Sequence, residues 1–114
     1  MTEQKVLEAV IEAVEDMKAL DVQVIDVREK TSMMDHLVIA TGTSTRHLSA
    51  IVANVEKDLK EKGFAANSVE GRNGSDWVLI DFFDVVLHVM TSEARAFYDL
   101  EQLWTGARPA SNED

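Results

Sequence analysis

The chain has 114 residues, with 21 acidic against 11 basic side chains, a formal net charge of -10 and no cysteine. This charge balance disfavours direct binding to nucleic acid, and the lack of cysteine excludes disulfides and thiolate-ligated zinc. The length predicts one domain, and no apolar run is long enough for a secretory signal or a spanning helix, so we expect a cytoplasmic protein without membrane contact.

Apolar spacing predicts a helix and two strands in the first part of the chain. The helix is expected from about residue 3 to residue 19, with an apolar stripe made of Leu7, Val10, Ile11, Val14 and Met17. Alternation predicts a strand at residues 22–27. The nearly continuous apolar run at residues 36–41 predicts a second strand that is buried on both faces.

A small polar turn then leads into a second predicted helix, which ends at Gly63. Its apolar stripe comprises Leu48, Ile51, Val52, Val55 and Leu59. A strand, a polar turn and a helix N-terminus can bind an anion through backbone amides. The turn has no P-loop lysine and no glycine triplet, which favours a simple helix cap by Thr43 or Ser44.

Residues 65–69 predict a short strand, and the alternation of residues 77–90 predicts a β-hairpin. A tight turn at Phe82 and Phe83 would pair Trp77 with His88. One hairpin face is then aliphatic and suits the core: Val78, Ile80, Val85, Leu87 and Val89. The other face is apolar with polar edges: Trp77, Leu79, Asp81, Asp84, Val86, His88 and Met90.

This polar-edged face has two possible fates, and the sequence leaves both open. A helix of the same chain could cover it, as happens to most apolar sheet faces. Alternatively it binds a partner, because Trp and Met are enriched at recognition surfaces. Its seven residues are therefore the candidate partner-binding residues, and the acidic net charge favours a basic protein as the partner.

The end of the chain is predicted to be helical again at residues 93–98 and in a short helix from Asp99 to Gly106. Phe97, Leu100 and Trp104 fall on one stripe of these helices. We expect one domain at residues 1–106 and a disordered tail at residues 107–114.

Candidate catalytic chemistry is sparse. The three histidines lie on separate elements without a second ligand at helical spacing, and no serine-histidine-aspartate order is present. Asp81 and Asp84 could hold a divalent cation or form an acid/base pair, but aspartates beside a turn are more often solvated. We therefore expect no catalytic residue, no metal and no cofactor.

Four segments together resemble the ribosomal silencing factor family, also called RsfS or Iojap-like. They are TGTSTRH at residues 41–47, SDWVLIDF at 75–82, DVVLHVM at 84–90 and EARAFYDLEQLW at 93–104. The resemblance implies an α/β domain with a small mixed sheet of about five strands, helices mainly on one face, a nucleotidyltransferase-like topology and no known catalysis. It also implies docking on the large ribosomal subunit through the universal large-subunit protein L-fourteen, which blocks subunit joining and represses translation.

One residue departs from the family pattern, which has glycine in the hairpin turn where this chain has Phe83. Phenylalanine resists the positive φ that tight turns often need, so the register could slip. A slip by one residue would exchange the two faces of the hairpin.

Two alternatives to ribosome binding remain. A nucleotidyl-transferring enzyme would use the turn from Gly42 to Ser44 for phosphate and the pair Asp81 and Asp84 for metal. A homodimeric adaptor would use the polar-edged face against its own copy.

Overall fold

The computed structural model describes residues 2–29, 34–71 and 76–98. These residues form three helices and five strands in the order α1 (Thr2–Asp16), β1 (Leu20–Asp26), β2 (His36–Gly42), α2 (Thr45–Glu61), β3 (Ser68–Glu70), β4 (Trp77–Asp81), β5 (Val85–Thr91) and α3 (Ser92–Tyr98). The predicted short helix at residues 99–106, the stripe of Phe97, Leu100 and Trp104, and the predicted tail lie outside what is described. No helix within the described ranges is long and apolar enough to cross a membrane.

The five strands form one mixed sheet in the order β1-β2-β5-β4-β3, which confirms the predicted α/β class. The central strands β2 and β5 are parallel, and the other three pairings are antiparallel. Both central strands are almost completely buried, as the apolar run at residues 36–41 predicted.

Helices α1 and α2 pack on one face of the sheet, which we call the helix face. All five residues of the predicted α2 stripe are buried there, which confirms the helical spacing: Leu48, Ile51, Val52, Val55 and Leu59. The aliphatic hairpin residues also face these helices: Val78, Ile80, Val85, Leu87 and Val89. Burying two helical stripes against five strands gives this small domain its main core.

The opposite face of the sheet, which we call the far face, carries a second and smaller apolar cluster. Its buried members are Val27, Leu37, Ile39, Met90 and Ala94, and Trp77 and Val86 pack against them. Ala94 belongs to α3, so this short helix lies on the far face. The helices are thus mainly on one face, as expected.

The hairpin register differs from the predicted one by two residues. Trp77 pairs with Met90, and Leu79 pairs with His88. The prediction that Trp77 pairs with His88 was therefore wrong. Because side chains alternate with a period of two, a shift of two residues leaves every strand side chain on its predicted face.

The turn itself explains the shift. Its two central residues are Phe83 and Asp84, and the Phe82 N–H donates a hydrogen bond of 2.9 Å to the Val85 carbonyl. Phe83 adopts a φ of 74°. A positive φ at the first central residue is the pattern of a type II′ turn, where glycine is the usual occupant. The Phe83 N–H donates to Asp81 Oδ1 at 2.7 Å, which helps to hold this conformation.

Substitutions of the two adjacent phenylalanines should have very different effects on the free energy of unfolding, because Phe82 is 5% exposed in the core and Phe83 is 61% exposed in the turn. Phe82→Ala should lower the free energy of unfolding by about 3 to 5 kcal/mol. Phe83→Gly should change it by less than about 1 kcal/mol, since relief of the strained φ offsets the greater freedom of the unfolded chain. Urea unfolding followed by circular dichroism measures both, with Phe82→Leu as a milder core variant. A larger loss at Phe83 than at Phe82 would contradict the observed turn.

Candidate functional site

The far face presents its side chains in three rows across β2, β5 and β4. The rows are Leu37, Val86 and Asp81; then Ile39, His88 and Leu79; then Thr41, Met90 and Trp77. The middle row continues onto β3 through Glu70, which pairs with Leu79. All the predicted site residues except Asp84 therefore belong to one surface.

Burial changes from one side of this surface to the other. Leu37, Ile39 and Met90 have no exposed area, and His88 is 7% exposed. Towards β4 the side chains become accessible, because Trp77 and Leu79 are only half-buried. A partner approaching the far face would therefore meet the β4 side, with Met90 and His88 supporting that surface from beneath.

Trp77 and His88 are joined by a hydrogen bond within this surface. The indole Nε1–H donates to His88 Nδ1 at 2.9 Å, and the ring centroids are 5.7 Å apart. Because an indole nitrogen can only donate, Nδ1 of the histidine must be the acceptor and carry no proton. The bond therefore requires a neutral imidazole, and it fixes the orientation of the tryptophan.

Burial makes the neutral form of His88 the favoured one. Desolvation lowers the pKa of His88 from 6.5 to about 4. Both the hydrogen bond and the desolvation therefore keep the imidazole uncharged at neutral pH.

Arg95 secures α3 at the Thr41 end of the far face. Its Nη1 donates to Thr41 Oγ1 at 2.7 Å and to the Asp21 carbonyl at 2.5 Å, and the side chain is 9% exposed. The helix begins with a cap, in which Thr91 Oγ1 accepts from the Ala94 N–H at 3.3 Å. These contacts bind the helix to both central strands and to the start of β1.

The two aspartates of the hairpin lie in different environments. Asp81 belongs to the far face, where Oδ1 accepts from the Phe83 N–H and Oδ2 from Asn67 Nδ2 at 3.3 Å. Asp84 is a central turn residue and is exposed, so its predicted place on the strand face was wrong. It lines a groove with Val6 and residues of the α2 C-terminal region, on the side of the helix face.

Polar groups of the turn before α2 form hydrogen bonds within the protein. Ser44 caps the helix by accepting from the His47 N–H at 3.1 Å, as one of the two predicted caps. The Thr43 N–H donates to His47 Nδ1 at 2.9 Å, which leaves His47 Nε2 to donate to the Met17 carbonyl at 2.8 Å. The Thr43 amide and both imidazole nitrogens are therefore occupied by protein groups instead of facing a phosphate.

The elements of the alternative enzymatic site are also far apart. Gly42 pairs with Thr91 at one end of the parallel strands, whereas His36 pairs with Val85 at the other end, next to Asp84. Six residue steps of strand separate these ends by roughly 20 Å. Within residues 2–29, 34–71 and 76–98, no group of three or more metal-ligating side chains comes together.

Glu70 is a further candidate site residue, which the sequence did not single out. The predicted third strand ended one residue earlier, whereas the observed strand extends to Glu70 and pairs it with Leu79. Alternation along Ser68, Val69 and Glu70 was the signal that could have placed this carboxylate on the far face.

The fold and this surface define a small α/β domain with a half-buried, acid-rimmed apolar face and no catalytic constellation among the described residues. A family model described as "Ribosomal silencing factor during starvation" matches residues 1–114. The chain therefore belongs to the ribosomal silencing factor family, a family named for a regulatory role. This finding confirms the resemblance seen in the sequence.

Individual relatives agree with this assignment. The ribosomal silencing factor RsfS of Chromobacterium violaceum is 39% identical over 107 residues, which cover 94% of this chain and 88% of that protein. A mouse protein named "Mitochondrial assembly of ribosomal large subunit protein 1" is 41% identical over 90 residues, or 76% of this chain and 40% of its own length. A crystal structure of a Chromobacterium violaceum protein superposes with a TM-score of 0.90 at 38% identity, covering 100% of this chain and 95% of that one.

The buried histidine should make stability depend on pH. Because the pKa of His88 is about 4 in the folded protein and the ordinary value of 6.5 applies to the unfolded chain, the unfolded chain binds more protons between these pH values. The free energy of unfolding therefore falls as pH falls through this window, by about 1 kcal/mol between pH 7.5 and 5.5 and by about 3 kcal/mol when pH 4 is reached.

Urea unfolding of the wild type and of His88→Gln across pH 7.5 to 5.5 measures this contribution. Glutamine can still accept from Trp77 but does not titrate, so the variant should lose about 1 kcal/mol less than the wild type. Asp26 does not interfere in this range, because hydrogen bonds from Arg28 lower its pKa from 3.8 to about 2 and both values lie well below pH 5.5, so its carboxylate is ionised in the folded and the unfolded chain. Equal pH dependence in the two proteins would show that His88 is not the titrating group.

Proposed function

We propose that this protein binds the large ribosomal subunit through its far face and sterically blocks joining of the small subunit, which represses translation under nutrient limitation. The partner that this proposal names is the universal large-subunit protein L-fourteen. The observation that carries it is the continuous accessible patch of Trp77, Leu79 and Val86 with carboxylates at Asp81 and Glu70 beside it.

The composition of this patch suits a protein partner. Aromatic residues are enriched at the centres of protein interfaces, and charged residues lie at their rims. Trp77 supplies a large side chain that His88 already holds in one orientation. Less conformational entropy is therefore lost when a partner binds it.

The charge of the chain favours a basic partner over RNA. A net charge of -10 repels phosphates and attracts lysine and arginine. Direct contact with ribosomal RNA would therefore be small, and a basic ribosomal protein would provide the docking surface. The name of the mouse relative, which concerns the large ribosomal subunit, supports this choice of subunit.

The proposed mechanism is occlusion and needs no cofactor. A bound domain on the joining surface of the large subunit excludes the small subunit by volume alone. Such a role would place the protein in the cytoplasm with the ribosomes. A second copy of this chain could use the same face, so any homodimer would compete with ribosome binding.

Substitutions on the patch should weaken ribosome binding while the fold persists. Trp77→Ala removes the central aromatic side chain and should reduce affinity for the large subunit by about 30-fold or more. Leu79→Arg places a positive charge against the basic partner and should reduce it further. Sedimentation of each variant with purified large subunits measures binding, and addition to translating extracts measures the loss of joined ribosomes.

A matched control is Val24→Ala, because Val24 is 41% exposed and its strand partner Val38 lies in the helix-face core. It should bind like the wild type. Circular dichroism and thermal unfolding verify that Trp77→Ala and Leu79→Arg remain folded. Normal co-sedimentation of both folded variants would overturn the assignment of the far face, and failure of the wild type to bind large subunits would overturn the proposed function.

A further inference from the structure

A shallow groove of about 330 Å³ lies at the accessible side of the far face, lined by Glu70, Gly71, Trp77 and Leu79. Glu70 and Leu79 are direct cross-strand partners, so their side chains project from the same face of the sheet. One carboxylate, one indole and one leucine side chain therefore surround a space with the dimensions of a small binding pocket.

The walls of the groove are held in place. The indole of Trp77 is fixed by its hydrogen bond of 2.9 Å to His88. The other end is formed by Gly71, which has a φ of 86° and on which an added Cβ would lie 2.4 Å from the Trp77 carbonyl oxygen. Only glycine allows the chain to turn this closely against β4. The groove is therefore present before any partner arrives.

Glu70 is an exposed acid that has no ion-pair partner within the described ranges. The acids around Lys62 provide a contrast, because Glu12 and Asp58 both lie 3.1 Å from that ammonium group. Because the Glu70 side chain is exposed and lines the groove, a cation supplied from outside can approach its negative charge.

We propose that this groove receives one lysine or arginine side chain of the basic ribosomal partner, with its alkyl stem along Trp77 and Leu79 and its cation at Glu70. This inference rests on the proposed function and deepens it, because it assigns Glu70 as the residue that selects a basic partner. Long cationic side chains suit such a site, since their stems are apolar and their heads are charged.

The chemistry of the walls excludes other occupants. An indole attracts a cation to its face, and the carboxylate adds a direct charge interaction. A phosphate or carboxylate group would be repelled by Glu70. A purely apolar side chain would displace water from that carboxylate without giving it a hydrogen-bond donor, which is unfavourable.

The test is equilibrium binding of the purified full-length chain to purified large ribosomal subunits. Glu70→Gln should lower affinity about tenfold, and Glu70→Lys should lower it further, because like charges would then meet. Glu61→Gln on α2 removes the same charge from an exposed position and should change affinity less than about twofold. The effect at Glu70 should shrink as salt is added.

A double-mutant cycle separates the groove from a general charge effect. If Trp77 and Glu70 hold the same cation, the tenfold effect of Glu70→Gln should fall to about twofold or less when Trp77 is already changed to Leu. Equal effects in both backgrounds, or equal effects of Glu70→Gln and Glu61→Gln, would overturn the assignment of the groove. Absence of wild-type binding would overturn the proposed function together with it, whereas wild-type binding that Glu70→Gln leaves unchanged would overturn only the groove.

Discussion

The parallel pairing of β2 with β5 is the constraint on which the rest of the molecule depends. It joins the β1 and β2 pair to the hairpin in an unbroken seven-residue register from His36 with Val85 to Gly42 with Thr91. The turn extends this register, because the Asp84 carbonyl accepts from the N–H groups of Asp35 and His36 at 2.7 and 3.0 Å. The same pairing sets Ile39 beside His88 and so determines which residues share the far face.

Local patterns predicted much of this fold, and long-range contacts account for what they missed. The helical spacing of Leu48 to Leu59 is a property of one segment, so all five core positions could be found from it. The hairpin register depended on Phe83, and its φ of 74° is a conformation that phenylalanine rarely adopts. The two faces were still correct, because an even shift preserves alternation.

For the candidate site, the sequence likewise predicted which strand residues share a face but not the contacts between them. Strand alternation identified Trp77, Leu79 and Val86 as neighbours on one surface, but it carried no information on their burial. The bond from Trp77 to His88 crosses the hairpin whose two strands were predicted to be neighbours, but its geometry depends on a register that was predicted two residues out. The bond from Arg95 to Thr41 links residues 54 positions apart, and it depends on the pairing of β2 with β5, which a single sequence does not reveal.

The two sides of the far face differ in burial, and therefore in what their side chains contribute. Towards β2, buried Ile39 and Met90 stabilise the sheet, whereas on β4 the side chain of Trp77 is only half-buried. A tryptophan left half-exposed in this way would be mobile if nothing held its ring. His88 supplies that support only as a neutral imidazole, and its burial keeps it neutral. The buried and the accessible sides of the far face are therefore coupled: desolvation keeps His88 neutral, the neutral imidazole accepts from the indole N–H, and this hydrogen bond holds the indole where it lines a groove with Glu70.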